Sequence, residues 1–135
     1  MVDFKLELVP IPVVDVDRAK RFYSEQAGFV VDVDTGLRDG FRVVQLTPPG
    51  SACSICVGVG VTDAPPGSAR GLLLVVDDID AARAALVDCG LDIGPVQRFE
   101  GGEWIDGKGG DWNSFARFSD PDGNTWALQE RPSGA

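Results

Sequence analysis

The sequence predicts an α+β fold made of two successive βαβββ modules, and two internal matches support it. The segment DVDRA at 15–19 is similar to DIDAA at 78–82, which lies 63 residues later. The segment TPPGS at 47–51 is similar to DPDGN at 120–124, which lies 73 residues later. In both halves the first segment begins a helical pattern and the second belongs to the turns around the last strand-like run. We therefore expect the whole supersecondary unit to be repeated, with each half burying its sheet against the other.

The first half contains the pattern of one module. FKLELVPIPV at 4–13 alternates apolar and polar residues and then meets prolines, which is typical of a strand that lies at an edge or is bulged. The next segment has the apolar spacing of a helix, with Asp15 or Asp17 to cap its start and Gly28 to end it. Three strand-like runs follow, FVVDVD at 29–34, FRVVQL at 41–46 and ACSICVG at 52–58.

A segment rich in proline, glycine and serine connects the halves, and the same order then starts again. GLLLVV at 71–76 predicts a strand, and the alanine-rich helix after it begins at Asp77 or Asp78 and ends at Gly90. A strand within LDIGPVQRFE, a long glycine-rich loop at 101–113, the strand SFARFS, the DPDGN turn and the strand TWALQ complete the half. The predicted boundaries are 1–58 for module one, 59–70 for the connector, 71–130 for module two and 131–135 for a frayed tail.

Composition and charge exclude several classes of protein. The 135 residues suit one globular domain, and 44% hydrophobic with 24% charged residues is an ordinary composition for one. The net charge of −9 makes nucleic acid a poor partner, because phosphate binding needs a basic face. The longest aliphatic run, at 72–76, is too short to cross a membrane, and we find no signal segment. We therefore expect a cytoplasmic protein that binds no membrane.

Histidine is absent from the sequence, and cysteine occurs three times. Without histidine there is no Ser–His–Asp or Cys–His catalytic group and no histidine-ligated metal ion. Cys53 and Cys56 have the spacing of a metal or redox motif, but residues three apart on a strand point to opposite faces. We therefore interpret both cysteines as small buried residues.

Three segments, together with the order of the repeat, resemble the vicinal oxygen chelate superfamily: VVDVDRAKRFYSEQAGF, VVDDIDAARAAL and FSDPDGNTWALQE. That superfamily includes glyoxalase I, extradiol dioxygenases and the bleomycin and fosfomycin resistance proteins. The resemblance covers nearly the whole chain and implies two modules, each a curled mixed sheet around a cleft with its helix on the outer face. It also implies a homodimer, although the family uses the cleft both within one chain and across a dimer. The motifs specify the fold well and the reaction hardly at all.

In enzymatic members of the superfamily, four inward-pointing strand residues hold a divalent metal ion. The resemblance places the equivalent positions at Leu8, Ser54, Gly71 and Ala127. Leucine, glycine and alanine side chains offer no metal ligand, and a lone serine hydroxyl is a weak one. We therefore expect no metal ion and no other cofactor, and we assign no catalytic residue.

Small neutral residues at these positions favour a pocket for an organic ligand. Cys56 shares a strand face with Ser54, and Gln129 shares one with Ala127, so hydrogen-bonding groups remain beside the open space. The alternative is that the small residues pack together and leave no cavity.

The loop at 101–113 is the second candidate for binding. It carries two tryptophans among five glycines, and long glycine-rich loops are often lids or binding loops. Its carboxylates Glu103, Asp106 and Asp111, beside aromatic faces, suit a planar or cationic ligand. The alternative is that both indoles fold back onto the core or lie at a dimer contact. The predicted ligand-binding residues are Leu8, Ser54, Cys56, Gly71, Trp104, Trp112, Ala127 and Gln129.

These observations lead us to expect a metal-free small-molecule binding protein of the glyoxalase/bleomycin-resistance type, which sequesters its ligand and breaks no bond. The alternative is a metal-independent isomerase, cyclase or lyase acting on an aromatic metabolite. Its acid–base groups would be Glu103, Asp106, Asp111 or Tyr23, although the Phe22–Tyr23 pair on the first helix is more typical of packing. Trp126 alternates with the inward positions, and we expect it in the core.

Overall fold

In the part of the chain that the structure describes, two β-sheets and two α-helices make up most of the regular structure, in the order that the repeat predicts with one added strand. The computed structural model describes residues 1–38 and 40–134. It divides into two units, one of residues 1–69 with 120–124 and the other of residues 70–119 with 125–134. Neither helix in the described ranges is long and apolar enough to cross a membrane. The elements are β1 (Leu8–Pro10), α1 (Val16–Arg21), β2 (Val30–Arg38), β3 (Phe41–Thr47), β4 (Ser54–Val59), β5 (Leu72–Val76), α2 (Ile79–Asp88), β6 (Gln97–Glu100), β7 (Glu103–Asp106), β8 (Phe115–Ser119) and β9 (Thr125–Glu130).

In the first unit one mixed sheet, with strand order β1-β4-β3-β2, packs against α1. β1 runs parallel to β4, and the other neighbours are antiparallel. The Asp15 side chain accepts a hydrogen bond from the Arg18 N–H, so Asp15 is the one of the two predicted candidates that caps α1. The helix continues as a π-helical turn over Phe22–Gln26. The core between helix and sheet contains Ile11, Val16, Ala19, Phe22, Tyr23, Phe29, Val44, Leu46, Ile55 and Val57.

In the second unit the strand order is β5-β9-β8-β6-β7, and α2 packs on β8 and β9. The Asp78 side chain caps α2 by accepting from the Ala81 N–H. Trp126 is 3% exposed, and its ring stacks on Phe118 with the ring centroids 6.0 Å apart. The prediction that Trp126 lies in the core is therefore confirmed, as is the two-module α+β fold.

The fifth strand of this sheet corrects our interpretation of 101–113 as a loop without secondary structure. β6 and β7 form an antiparallel hairpin in which Phe99 pairs with Trp104 and Glu100 with Glu103. Gly101 and Gly102 are its two turn residues, and both have positive φ, 62° and 80°. A two-residue turn of this kind suits the twist of paired strands and requires residues that accept positive φ. The glycine pair therefore closes a hairpin.

The DPDGN turn between β8 and β9 belongs to the first unit. Asp120, the first residue of the turn, is buried. One of its carboxylate oxygens accepts from the backbone N–H groups of Asp122 and Asn124. The other oxygen accepts from the Tyr23 hydroxyl and from the Asn124 side-chain amide, both at 2.7 Å. The same amide also donates to the Pro12 carbonyl at 2.9 Å. The polar residues of this turn are thus used to fix the turn on the helix side of the first sheet.

Candidate ligand-binding site

The predicted residues of the first unit lie on the sheet face opposite α1. Leu8 pairs with Ser54 and Pro10 with Cys56, while the intervening Ile55 points into the helix-side core. Ser54 and Cys56 are buried, and Leu8 is partly exposed beside them. The register therefore brings the three predicted residues of this unit together.

The Ser54 hydroxyl is already engaged within the protein. Its oxygen lies 2.6 Å from the Thr47 hydroxyl, which in turn donates to an Asp32 carboxylate oxygen. Because the single Thr47 proton goes to Asp32, Ser54 donates to Thr47. Burial raises the pKa of the Cys56 thiol, which keeps it protonated and a weak nucleophile near neutral pH. Neither side chain supports nucleophilic chemistry at this face.

In the second unit the register corrects one predicted position. Ala127 lies between Leu73 of β5 and Arg117 of β8, so the residue opposite Ala127 is Leu73 and not Gly71. Gly71 precedes β5 and donates its backbone N–H to the Thr125 hydroxyl at 2.8 Å. The difference arises because Leu8 stands seven residues before the Asp15 cap, whereas Leu73 stands five residues before the Asp78 cap. The offset of 63 residues, which was taken from the helix caps, therefore gives a position on the second-half strand that is two residues too early.

The side chains at these positions do not fit a divalent metal ion. The first unit offers Leu8 and Ser54, and the second offers Leu73 or Gly71 with Ala127; none carries a carboxylate, imidazole or accessible thiolate. Within residues 1–38 and 40–134, no three histidine, cysteine, aspartate or glutamate side chains are grouped closely enough to hold a metal ion. The geometry therefore gives no basis for metal-dependent chemistry at these positions.

An aromatic cluster lies on the sheet face of the second unit that points away from α2. The Trp104 indole meets the rings of Phe99 and Phe115 edge to face, with ring centroids 5.2 and 5.4 Å away. The Arg117 guanidinium carbon lies 3.7 Å from the Trp104 ring centroid, a cation–π contact. Trp104 is nevertheless 43% exposed. We call this surface the aromatic face; its residues are Leu73, Phe99, Trp104, Phe115, Arg117 and Ala127.

A hydrogen-bond relay crosses the aromatic face from Arg117 to Asp106. Arg117 Nη1 donates to Gln97 Oε1 at 3.3 Å, and Gln97 Nε2 donates to Asp106 Oδ1 at 2.9 Å. Gln97 therefore stands between the two charges and keeps them from forming an ion pair. In the described part of the chain, no carboxylate oxygen lies within 4.0 Å of the Arg117 guanidinium.

The second predicted tryptophan is held near the end of β9. Gln129 donates from its side-chain amide to the Trp112 carbonyl at 2.9 Å, which joins two predicted site residues. Trp112 has φ 61°, an uncommon left-handed conformation for a non-glycine residue, and its side chain is 48% exposed. Asn113 next to it both accepts from the Phe99 N–H and donates to the Phe99 carbonyl, at 2.9 Å each. The segment is therefore anchored to β6 and β9.

Sequence reasoning missed Arg117, Phe99 and Phe115. The register of the β8–β9 hairpin was accessible from the five-residue turn, since Ser119 pairs with Thr125 and two steps along each strand place Arg117 beside Ala127. The Gly–Gly turn likewise pairs Phe99 with Trp104. In both cases the sequence signal was a short turn between two strands whose side chains point alternately to the two faces of the sheet.

A separate surface pocket of about 320 Å³ lies in the first unit. It is lined by residues 12–14, 58–60, 62–64 and 66, and it contains none of the predicted site residues. Its one ionisable lining residue is Asp63. The aromatic face is better suited than this pocket to recognise an organic ligand, because it combines exposed aromatic rings with the Arg117 guanidinium, which has no direct ion pair among the described residues.

Comparison with known families agrees with the fold. A family model described as the glyoxalase/bleomycin resistance protein/dioxygenase superfamily matches residues 5–128. The chain belongs to this superfamily. A search of curated proteins found no match.

Solved structures of the superfamily resemble the chain over nearly its full length. TnmS3, an antibiotic binding protein from Streptomyces sp. CB03234, is 34% identical, with a TM-score of 0.77; the match covers 98% of this chain and 99% of TnmS3. A glyoxalase/bleomycin resistance protein from the same organism is 35% identical, with a TM-score of 0.72 and coverage of 93% and 99%. A superfamily member from Sphaerobacter thermophilus DSM 20745 is 27% identical, with a TM-score of 0.72 and coverage of 96% and 98%.

Proposed function

We propose that this protein binds and sequesters a planar natural product, with no metal ion or cofactor and without breaking a bond in the ligand. The observation that carries the proposal is the aromatic face, an exposed cluster of edge-to-face rings on the sheet surface opposite α2. The 34% identity to TnmS3, an antibiotic binding protein, supports binding as the activity, and the 35% identity to a glyoxalase/bleomycin resistance protein from the same organism supports resistance as its purpose.

The aromatic face is suited to flat ligands by its composition. Rings such as Trp104 and Phe99 supply large, rigid apolar area at low entropic cost. Ala127, which lies between Leu73 and Arg117, contributes only a methyl group to this face. Sites for organic molecules are mostly apolar with a few placed polar groups, and this surface follows that rule.

The alternative of a metal-independent enzyme loses two of its four acid–base candidates. Tyr23 is 0% exposed and donates to Asp120, so it is committed to packing and cannot reach a substrate. Glu103 alternates with Trp104 on β7 and points to the other side of the sheet. Asp106 and Asp111 remain, and the fate of the bound ligand separates the two functions.

We also propose that two copies of the chain associate. Val2, Phe4 and Leu6 alternate with Asp3, Lys5 and Glu7 in the segment before β1, which is the pattern of a half-buried strand. Yet Phe4 is 90% exposed, and Val2 and Leu6 are also exposed. In the second unit β5 is an edge strand made only of leucine and valine, which natural proteins normally cover. A second copy is the partner that supplies apolar cover to both.

The test of binding is tryptophan fluorescence quenching with a panel of planar natural products, followed by recovery and mass analysis of the ligand. We expect quenching, recovery of an unchanged ligand, and a loss of affinity of about tenfold in Trp104→Ala. Trp126, which is in the core, provides a constant background signal. A modified ligand would favour the enzyme, and unchanged binding in both Trp104→Ala and Trp112→Ala would show that the aromatic face is not the site.

A further inference from the structure

We infer that Arg117 makes the site selective for planar ligands that carry an acidic group, such as a carboxylate, on the ring system. The inference rests on the proposed function, because it names the class of ligand for the same face. It begins from an unusual placement: a guanidinium at the centre of an apolar and aromatic surface, between Trp104 and Ala127.

Most of the N–H donors of the Arg117 guanidinium are available to a ligand. Arginine has five N–H donors, and the described contacts of the Arg117 side chain use one of them, to Gln97 Oε1 at 3.3 Å. Other arginines of the chain are paired with carboxylates, among them Arg18 with Asp122 at 3.2 Å and Arg42 with Asp34 at 3.0 Å. Arg117 therefore carries a full positive charge that the described residues around it do not neutralise by a direct ion pair.

The surroundings also fix the orientation of the guanidinium plane. The guanidinium lies over the Trp104 indole, and its Nη1 donates to the Gln97 side-chain oxygen. The Gln97 amide nitrogen in turn donates to Asp106, which orients the Gln97 side chain. An arginine positioned in this way presents its remaining donors as a fork that matches both oxygens of a carboxylate. A ligand whose rings lie on Phe99 and Phe115 would place an attached acidic group within reach of that fork.

The charge on this face argues against the cationic ligand that the loop carboxylates suggested. Among the six residues that define the aromatic face, Arg117 is the one charged side chain; Glu103 points to the opposite side of β7, and Asp106 lies beyond Gln97 at the far end of the relay. The net charge of −9 does not reverse this preference, because salt screens charges beyond about 8 Å at physiological ionic strength. Direct contact between the ligand and Arg117 therefore decides whether an acidic or a cationic ligand is preferred.

The test compares three matched probes by isothermal titration calorimetry: 2-naphthoate, its neutral amide 2-naphthamide, and the cation 2-naphthylmethylammonium. We expect the native protein to bind the carboxylate about tenfold or more tightly than the amide, and the cation most weakly. Arg117→Gln should erase the preference for the carboxylate over the amide. Arg117→Lys should keep part of the preference, because it retains the charge and loses the fork.

Arg21→Gln is the matched control, because Arg21 is exposed on α1 and its loss changes the net charge by the same amount. It should keep the full preference for 2-naphthoate. Equal binding of the three probes to the native protein, or an unchanged preference in Arg117→Gln, overturns the inference and leaves the proposed function standing. Failure of all three probes to bind the native protein overturns the proposed function together with the inference.

Discussion

The Tyr23 hydroxyl donates a 2.7 Å hydrogen bond to the Asp120 carboxylate, joining residues 97 positions apart in the sequence. Tyr23 stands in the π-helical turn after α1, and Asp120 opens the turn between β8 and β9. The same carboxylate accepts from Asp122, Asn124 and the Asn124 side chain, so its four acceptor positions are used. This buried network explains the polar composition of the DPDGN turn without any catalytic role.

Removing the tyrosine hydroxyl should destabilise the protein measurably. Tyr23→Phe leaves one oxygen of a buried carboxylate short of a donor, and we expect a loss of about 1.5–3 kcal/mol in the free energy of unfolding by urea denaturation. Ser24→Ala is the control, since the Ser24 hydroxyl donates to the Lys20 carbonyl nearer the surface, and its loss should cost under about 1 kcal/mol. Equal effects of the two substitutions would contradict a special role for the Tyr23–Asp120 pair.

A methyl group at Gly58 should be among the most damaging small changes in the chain. A Cβ there would overlap the Arg42 carbonyl oxygen on the neighbouring strand and come within 2.9 Å of Val61 Cγ1. Because the strand backbone must move, we expect Gly58→Ala to lower the free energy of unfolding by about 2–3 kcal/mol. Gly110→Ala is the control, because a Cβ at Gly110 meets nothing within 4 Å, and its effect should stay within about 0.5 kcal/mol. A neutral Gly58→Ala would show that β3 and β4 separate readily at this point.

The parts of the fold that were predictable are those encoded by local chemistry. Asp15 and Asp78 cap the two helices because a short carboxylate before an apolar helical pattern satisfies the first free N–H groups. Trp126 is buried because strand alternation places it opposite the inward Ala127. Both inferences need only a few consecutive residues.

The parts that were missed depend on pairing between segments. The position opposite Ala127 belongs to Leu73, because the segment between strand and cap is two residues shorter in the second half than in the first. β7 was hidden within a glycine-rich stretch whose Gly101–Gly102 pair forms a hairpin turn. The turn between β8 and β9 was a signal for the position of Arg117 beside Ala127, but its contact with Trp104 depends on the pairing of β7 with β6 and was not predictable from local sequence.

The ion pairs of Asp34 predict a loss of stability in acid. Hydrogen bonds from Arg42 and Lys20 hold the pKa of the Asp34 carboxyl well below its ordinary value of 3.8. A carboxyl with a lowered pKa in the folded state stabilises the protein above the unfolded-state pKa, and this contribution disappears as pH falls. We expect Asp34→Asn to cost about 1 kcal/mol or less at pH 7, because the group is near the surface, and the difference from native protein to shrink below about pH 4. Asp92→Asn, at an exposed position with no described ion pair, is the matched control in urea unfolding, because it removes the same charge and breaks no described ion pair.

Cys89 and Cys56 should differ in reactivity in the native protein. Cys89 is exposed at the end of α2, whereas Cys56 is buried and burial raises the pKa of its thiol. We expect iodoacetamide at pH 8 to modify Cys89 first and to leave Cys56 unmodified until denaturant is added, as followed by peptide mass spectrometry. Cys89→Ser should abolish the fast phase. Rapid modification of Cys56 in native protein would mean that the sheet face around Ser54 is open to solvent.

Association of two copies should depend on the exposed segment before β1. Replacing Phe4 by glutamate places a charge within the alternating apolar side chains Val2, Phe4 and Leu6, and a charge that becomes buried without a partner is strongly unfavourable. We expect sedimentation velocity to give a dimer for the native protein and a shift to monomer for Phe4→Glu, with little change in thermal stability of the monomer. Val87→Glu is the control, because Val87 is exposed on α2 and the substitution adds the same charge. A native protein that sediments as a monomer at high concentration, or a Phe4→Glu variant that remains dimeric, would contradict the proposed role of this segment.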